Sequence, residues 1–126
     1  MAKKIKPIQT FQMCQCITET VEEKLERLKD EKDQEYIDFS MKDLEEADLA
    51  VPVDTIQFDY PYMGADHQIF LDKAVTTKRQ LINACVEKMP AYFKEHPYSA
   101  PHDINDFVIE IINIYSSGIA FISIGS

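Results

Sequence analysis

Apolar residues recur along this chain at two spacings, and the points where the spacing changes delimit the elements it predicts. Over residues 10–32, TFQMCQCITETVEEKLERLKDEK, Phe11, Cys14, Ile17, Val21, Leu25 and Leu28 recur every three or four positions. This is the stripe of an amphipathic helix. Glu19, Glu22, Glu23, Glu26, Lys29 and Asp30 lie opposite it. The spacing drops to two in EYIDFSM, residues 35–41, where Ile37, Phe39 and Met41 alternate with Tyr36, Asp38 and Ser40; that predicts a half-buried strand. Ser40 would then cap a short acidic helical turn, MKDLEEADLA, closed by Pro52.

Alternation returns in TIQFDYPYM, residues 55–63, with Ile56, Phe58, Tyr60 and Tyr62 on one side. Pro61 has no N–H for a ladder and sets this strand at an edge or near its end, and Gly64 follows in a loop. Residues 67–95 read as a second helical region. It starts at Thr77, which has capping-box spacing to Gln80, or continues from Ile69. Leu81, Ile82, Cys85, Val86, Met89, Tyr92 and Phe93 line its apolar face, and Pro90 kinks it or starts a new turn. HPYSAPHD reads as a loop.

The last stretch, DFVIEIINIYSSGIAFISIGS, is the most apolar. Glu110, Asn113, Ser116, Ser117, Gly118 and Ser123 make it too short and too polar for a spanning helix. Phe107, Ile111 and Ile114 suit a helix, but two β-branched runs around Ser-Ser-Gly favour a hairpin. The whole reads as α+β in the order α-β-β-α-β-β. Two main helices pack on a small, largely antiparallel sheet that ends in a C-terminal hairpin. Residues 1–126 form one domain, with residues 1–7 as a flexible basic start.

Charge sharpens this picture. The net charge is −9, and residues 17–50 hold 13 acids against 5 bases. Such a balance disfavours direct binding to nucleic acid or to anionic lipid and admits a basic protein. Three cysteines in an odd, unscaffolded pattern and an N-terminus without a long apolar run point to a reducing cytoplasm.

Reactive motifs are scarce. On a helix Cys14 and Cys16 would point about 200° apart and could not share a metal, so Cys14 is expected in the apolar stripe. His67, His96 and His102 sit beside carboxylates in sequence, Asp66-His67 and His102-Asp103, yet no nucleophile turn accompanies them. Three glycines cannot write a phosphate loop, and Glu45, Glu46 and Asp48 lack calcium-loop spacing. No cofactor and no metal are therefore expected.

The leading expectation is a non-enzymatic protein-binding domain, as small inhibitor, immunity, anti-defence or adaptor proteins are, or a nucleic-acid mimic. It would meet a basic partner through Glu22, Glu23, Glu26, Glu45, Glu46 and Asp48, with Tyr60 and Tyr62 as aromatic anchors. One alternative is a self-assembling subunit of a larger complex or virion, pairing with a second copy through the edge of the hairpin. The other is a small enzyme with a pocket lined by the three histidines.

Overall fold

In the computed structural model, which describes residues 5–58, 67–95 and 104–125, the C-terminal hairpin lies in the middle of the sheet rather than at its edge. Strand β1 spans Gln9–Cys16, followed by helices α1, Val21–Leu28, and α2, Gln34–Asp43. Strands β2, Asp48–Phe58, and β3, His67–Thr77, precede helix α3, Lys78–Glu95. A short 3-10 turn, Ile104–Asp106, leads into β4, Val108–Ile114, and β5, Ile119–Gly125. The five strands run in the order β1-β4-β5-β2-β3. Three of the neighbouring pairs are antiparallel, and β2 pairs with β5 in parallel, so the sheet is mixed. Among the described residues no helix is long and apolar enough to cross a membrane.

The class is α+β as expected, but several elements differ from the expected order. The single helix over residues 10–32 is a strand, a turn and a helix. Gln15, fully buried, is polar and hides the alternation Met13, Gln15, Ile17 that points into the core. Thr20 then starts α1 through a reciprocal capping box: its side chain accepts from the Glu23 amide, and the Glu23 carboxylate accepts from the Thr20 amide. Residues 35–41 are helical, because the Asp33 side chain caps the Tyr36 amide and launches α2. Ser40 is no cap; it is buried within α2, and Pro52 lies inside β2 beside a register shift.

The second helical region begins at Lys78, not at Ile69. The start that the Thr77–Gln80 spacing marks is present: the Gln80 amide donates to Thr77 Oγ1 at 3.3 Å, and the Gln80 side chain turns back to the Thr76 amide. Pro90 sits within α3. Tyr60, Pro61, Tyr62 and Gly64, together with the HPYSAPHD segment, lie outside the described residues.

The hairpin is present, turned by Gly118 at φ 87°. A Cβ there would meet the Pro52 carbonyl oxygen at 3.2 Å, in addition to the strain of a left-handed backbone. Both outer sides of the hairpin are occupied, by β1 against β4 and by β2 against β5. The expected free hairpin edge for a second copy is therefore absent. The reason is topological: β1 and β2, far apart in sequence, bracket the last two strands.

Register places two kinds of side-chain row on the two faces. Phe11, Ile112, Ile122, Phe58 and His67 align across all five strands on the inner face. Ile112, Ile122 and Phe58 are fully buried there against Leu81, Ile82, Cys85, Met89 and Phe93 of α3. Phe93 packs edge-on against both Phe58 and Phe107, with ring centroids 5.5 and 5.6 Å apart. On the outer face the matching row is Thr10, Asn113, Phe121, Gln57 and Gln68. Ile119, Thr55 and Phe70 flank it on one side, Gln12, Ile111 and Ser123 on the other. Helix α2 crosses beside β1, where its Asp43 carboxylate accepts from the Cys14 amide at 3.0 Å.

Ile112 lies at the centre of the inner row, so Ile112→Ala is expected to cost about 2–5 kcal/mol in urea unfolding through lost burial and a residual cavity. Phe39→Ala, at a side chain 58% exposed, is expected to stay within about 0.5 kcal/mol.

Candidate protein-binding surface

The six acids singled out in the sequence come from two segments, and α3 brings the segments together. Asn83 of α3 accepts from the Val21 amide at 3.1 Å and donates to Glu22 Oε2 at 3.1 Å. One helical turn earlier, the Arg79 amide donates to Glu46 Oε1 at 3.2 Å. The Arg79 side chain also approaches Glu46, at 4.0 Å, and residues four apart share a helix face, so Glu22 and Glu46 meet the same flank of α3. All six acids, Glu22, Glu23, Glu26, Glu45, Glu46 and Asp48, are exposed.

Several of them also serve the fold. Glu23 closes the α1 capping box. Glu46 satisfies one of the orphan amides at the start of α3, beside the Lys78 amide that donates to the Ala47 carbonyl at 2.8 Å. Glu26 pairs with Lys29 at 2.8 Å, and Glu46 approaches Arg79 at 4.0 Å. Glu45 and Asp48 make no ion pair with described residues. Surface pairs of this kind neutralise charge locally and contribute little to stability.

Behind this flank lies a buried polar knot at the β1 irregularity. Lys24 Nζ donates to Gln15 Oε1 at 3.3 Å and to the Cys14 carbonyl at 3.4 Å, and pairs with Asp43 at 3.6 Å. Lys24 and Asp43 are both buried, and the bonds to Gln15 and to the Cys14 backbone satisfy the groups the pair desolvates. On the solvent side Arg27 grips Glu19 through Nε and Nη2, at 2.8 and 3.0 Å, and donates to Tyr36 from Nη1. These bonds hold the Arg27 guanidinium protonated above its already high range. Lys78, over the Phe11 ring, goes the other way: burial lowers its pKa, opposed by Asp43, Glu45 and Glu46.

Because residues 9–16 form a strand, Cys14 and Cys16 share a side and line one pocket with Lys24, Arg27 and Tyr36. The helical separation expected of them does not exist, and Cys14 is exposed rather than part of the core. Cys16 Sγ lies 3.1 Å from Thr18 Oγ1. Among the described residues no three His, Cys, Asp or Glu side chains group as metal ligands. Of the three histidines only His67 is described. Its ring stacks on Phe58 with centroids 5.6 Å apart, and its Nδ1 meets the Tyr92 hydroxyl. Tyr60, Tyr62, His96 and His102 lie outside the described residues.

Compared with protein-family models, curated proteins and solved structures, the chain matches none. The surface is thus read from its own chemistry. What the sequence reading missed is the pairing of Glu22 with Asn83 and the buried Lys24–Asp43 contact; both join residues more than 15 positions apart, beyond any helical spacing. The Thr20-to-Glu23 capping box, by contrast, was open to reading.

The cysteines offer a direct check of this placement. Burial pushes the Cys85 thiol up to about 12, so it stays protonated and shielded in the native state. A thiol reagent at mildly alkaline pH is expected to modify Cys14 rapidly, Cys16 more slowly and Cys85 only after denaturation. The folded Cys85 thiol titrates above its unfolded value, so its contribution to stability is complete below about pH 8.5 and is lost as pH rises from there. Rapid labelling of Cys85 in the native protein would contradict the packing of α3.

Proposed function

We propose that the chain is a non-enzymatic protein-binding domain that docks a basic partner through the acidic flank of α1, the α2–β2 connection and the start of α3. One observation carries this reading: α3 joins two acidic stretches, remote in sequence, on one side through Asn83–Glu22 and Arg79–Glu46. The ion pairs of Glu26 and Glu46 remove part of the local charge, while Glu22, Glu23, Glu45 and Asp48 remain outside any ion pair with described residues. A chain at −9 with its surplus on one flank attracts a cationic surface over several ångströms before contact. The effect is chiefly on association rate and specificity. Inhibitor, immunity, anti-defence and adaptor roles share this chemistry, as does mimicry of a nucleic acid in a basic groove.

Glu26, Glu45 and Asp48 cap no helix through their carboxylates, so Glu26→Lys, Glu45→Lys and Asp48→Lys together test the surface without dismantling the fold. With the immobilised chain set against a lysate of the cells that produce it, the triple variant is expected to recover the basic partner at least about tenfold less at low salt. The wild-type recovery itself is expected to fall steeply as salt rises. Equal recovery by wild type and variant, with the same salt dependence, would contradict the reading.

A further inference from the structure

Strand β1 carries two thiols that the acidic flank does not use. Gln15 stands between them and is fully buried. It is clamped inward, accepting from Lys24 Nζ at 3.3 Å and donating to the Glu19 carbonyl. Successive side chains of a strand alternate between faces, so Cys14 and Cys16 both turn outward. The main chain is pinned on each side of Gln15. The Cys14 amide donates to Asp43 at 3.0 Å, the Cys14 carbonyl accepts from Lys24 at 3.4 Å, and Cys16 pairs with Val108 of β4. Cys16 is half-buried, its Sγ 3.1 Å from Thr18 Oγ1 and 3.6 Å from the Asn105 carbonyl, while Cys14 is exposed. Both thiols line one pocket of about 170 Å³, walled by Arg27 of α1 and by Tyr36 and Phe39 of α2. Sites for small organic ligands run to roughly 300–1,000 Å³, so this space suits something smaller. Glu19 also borders it, but Arg27 holds both of its carboxylate oxygens.

We infer that Cys14 and Cys16 form a two-thiolate site for a single soft monovalent cation of the copper(I) type. Ligand number selects the ion. Calcium and magnesium take six or more oxygen ligands, and structural zinc takes four ligands. Here two sulfurs converge, and among the described residues no third His, Cys, Asp or Glu joins them. Thiolate sulfur is a soft donor that favours monovalent copper. Spacing disfavours the competing use, a disulfide. Residues two apart on a strand lie about 6.6 Å apart along it, close to the limit of about 6.8 Å between the Cα atoms of a disulfide. A bridging ion adds two metal–sulfur bonds of about 2.3 Å each and closes that gap. On binding, each thiol releases one proton to solvent as its sulfur–metal bond forms, and the oxidation state of the ion does not change. Exposed Cys14 gives the ion its entry, and half-buried Cys16 completes the pair. Because the backbone of both residues is already fixed, little ordering cost opposes binding. None of the acids assigned to the basic partner takes part.

Anaerobic titration of the full reduced chain with copper(I) tests the site, read by thiolate-to-copper absorption in the near ultraviolet and by competition with a chromophoric chelator. One ion per chain is expected, with the sedimenting mass unchanged and with Cys14 and Cys16 shielded together from a thiol reagent. Cys14→Ser and Cys16→Ser are each expected to weaken binding at least about a hundredfold, at or beyond the upper end of what losing an outer-shell contact costs a metal site. Zinc, two ligands short, is expected to leave both thiols open to the reagent. Circular dichroism melting checks the fold of both variants, and if Cys16→Ser fails to fold, the exposed Cys14→Ser alone decides. An absence of binding would overturn the inference. Binding that either serine variant keeps to within about tenfold would mark capture by a single thiol and overturn it too. So would a second ion per chain, a doubled mass on adding copper, or equal shielding by zinc.

Discussion

Ile109, Ile112, Ile114, Ala120 and Ile122 of the hairpin are fully buried, and each needs cover that the hairpin cannot supply itself. A two-stranded hairpin alone is marginal in water. Burying one isoleucine side chain is worth roughly 1.5–3 kcal/mol only when a neighbouring surface completes the enclosure. Here β1 closes one side of the hairpin, β2 closes the other, and α3 roofs the inner face. The first strand and the last thus become near neighbours through β4, and two of the four strand pairings join strands distant in sequence. Such long-range pairing carries a loop-closure cost that only the buried inner row repays. The position of α3, and of α1 against it, follows from that row.

The same constraint separates the two surfaces. With α3 and α1 on the inner side, the acidic stretch of residues 17–50 folds around the β1 side of the sheet and against the start of α3. Several of its carboxylates are employed locally: Glu23 caps α1, Asp33 caps α2, Glu46 caps α3, and Asp43 anchors the buried Lys24. The acid density therefore has a structural use, and the charge left over stands on one flank. On the outer face the three register rows consist of Thr, Asn, Gln, Ser and apolar residues, with Asp54 bonded to Thr55 and Glu110 beside Ile111 at their margins.

Fold class and the hairpin were legible in the sequence; most of the boundaries between helix and strand were not. The turn at Gly118 carries a local requirement that glycine alone meets easily, and two β-branched runs flank it, so composition and turn chemistry agree. The start of α3 was legible for a similar reason, since Thr77 and Gln80 interact locally. Residues 9–16 were misread because a buried glutamine, Gln15, stands where the inward alternation needs an apolar residue, and only Lys24 and Glu19 from beyond the strand make that burial tolerable. Helix α2 was misread because its buried residues are Ser40 and Asp43, while Tyr36, Phe39 and Met41 face solvent; its apolar pattern reports no core. The candidate acids were legible as charge, but their convergence on α3 depends on tertiary contacts that no spacing rule contains.

Native-state hydrogen exchange tests most directly the claim that the hairpin is the centre on which the sheet is built. If it is, the ladder amides of β4 and β5 around Ile112 and Ile122, paired on both sides, exchange last, with opening energies that approach the global stability. The amides of β3 at the sheet edge exchange earlier. Amides of β2 and β3 that outlast those of β4 and β5 would show that the stable unit lies elsewhere, and the account of both surfaces would fall with it.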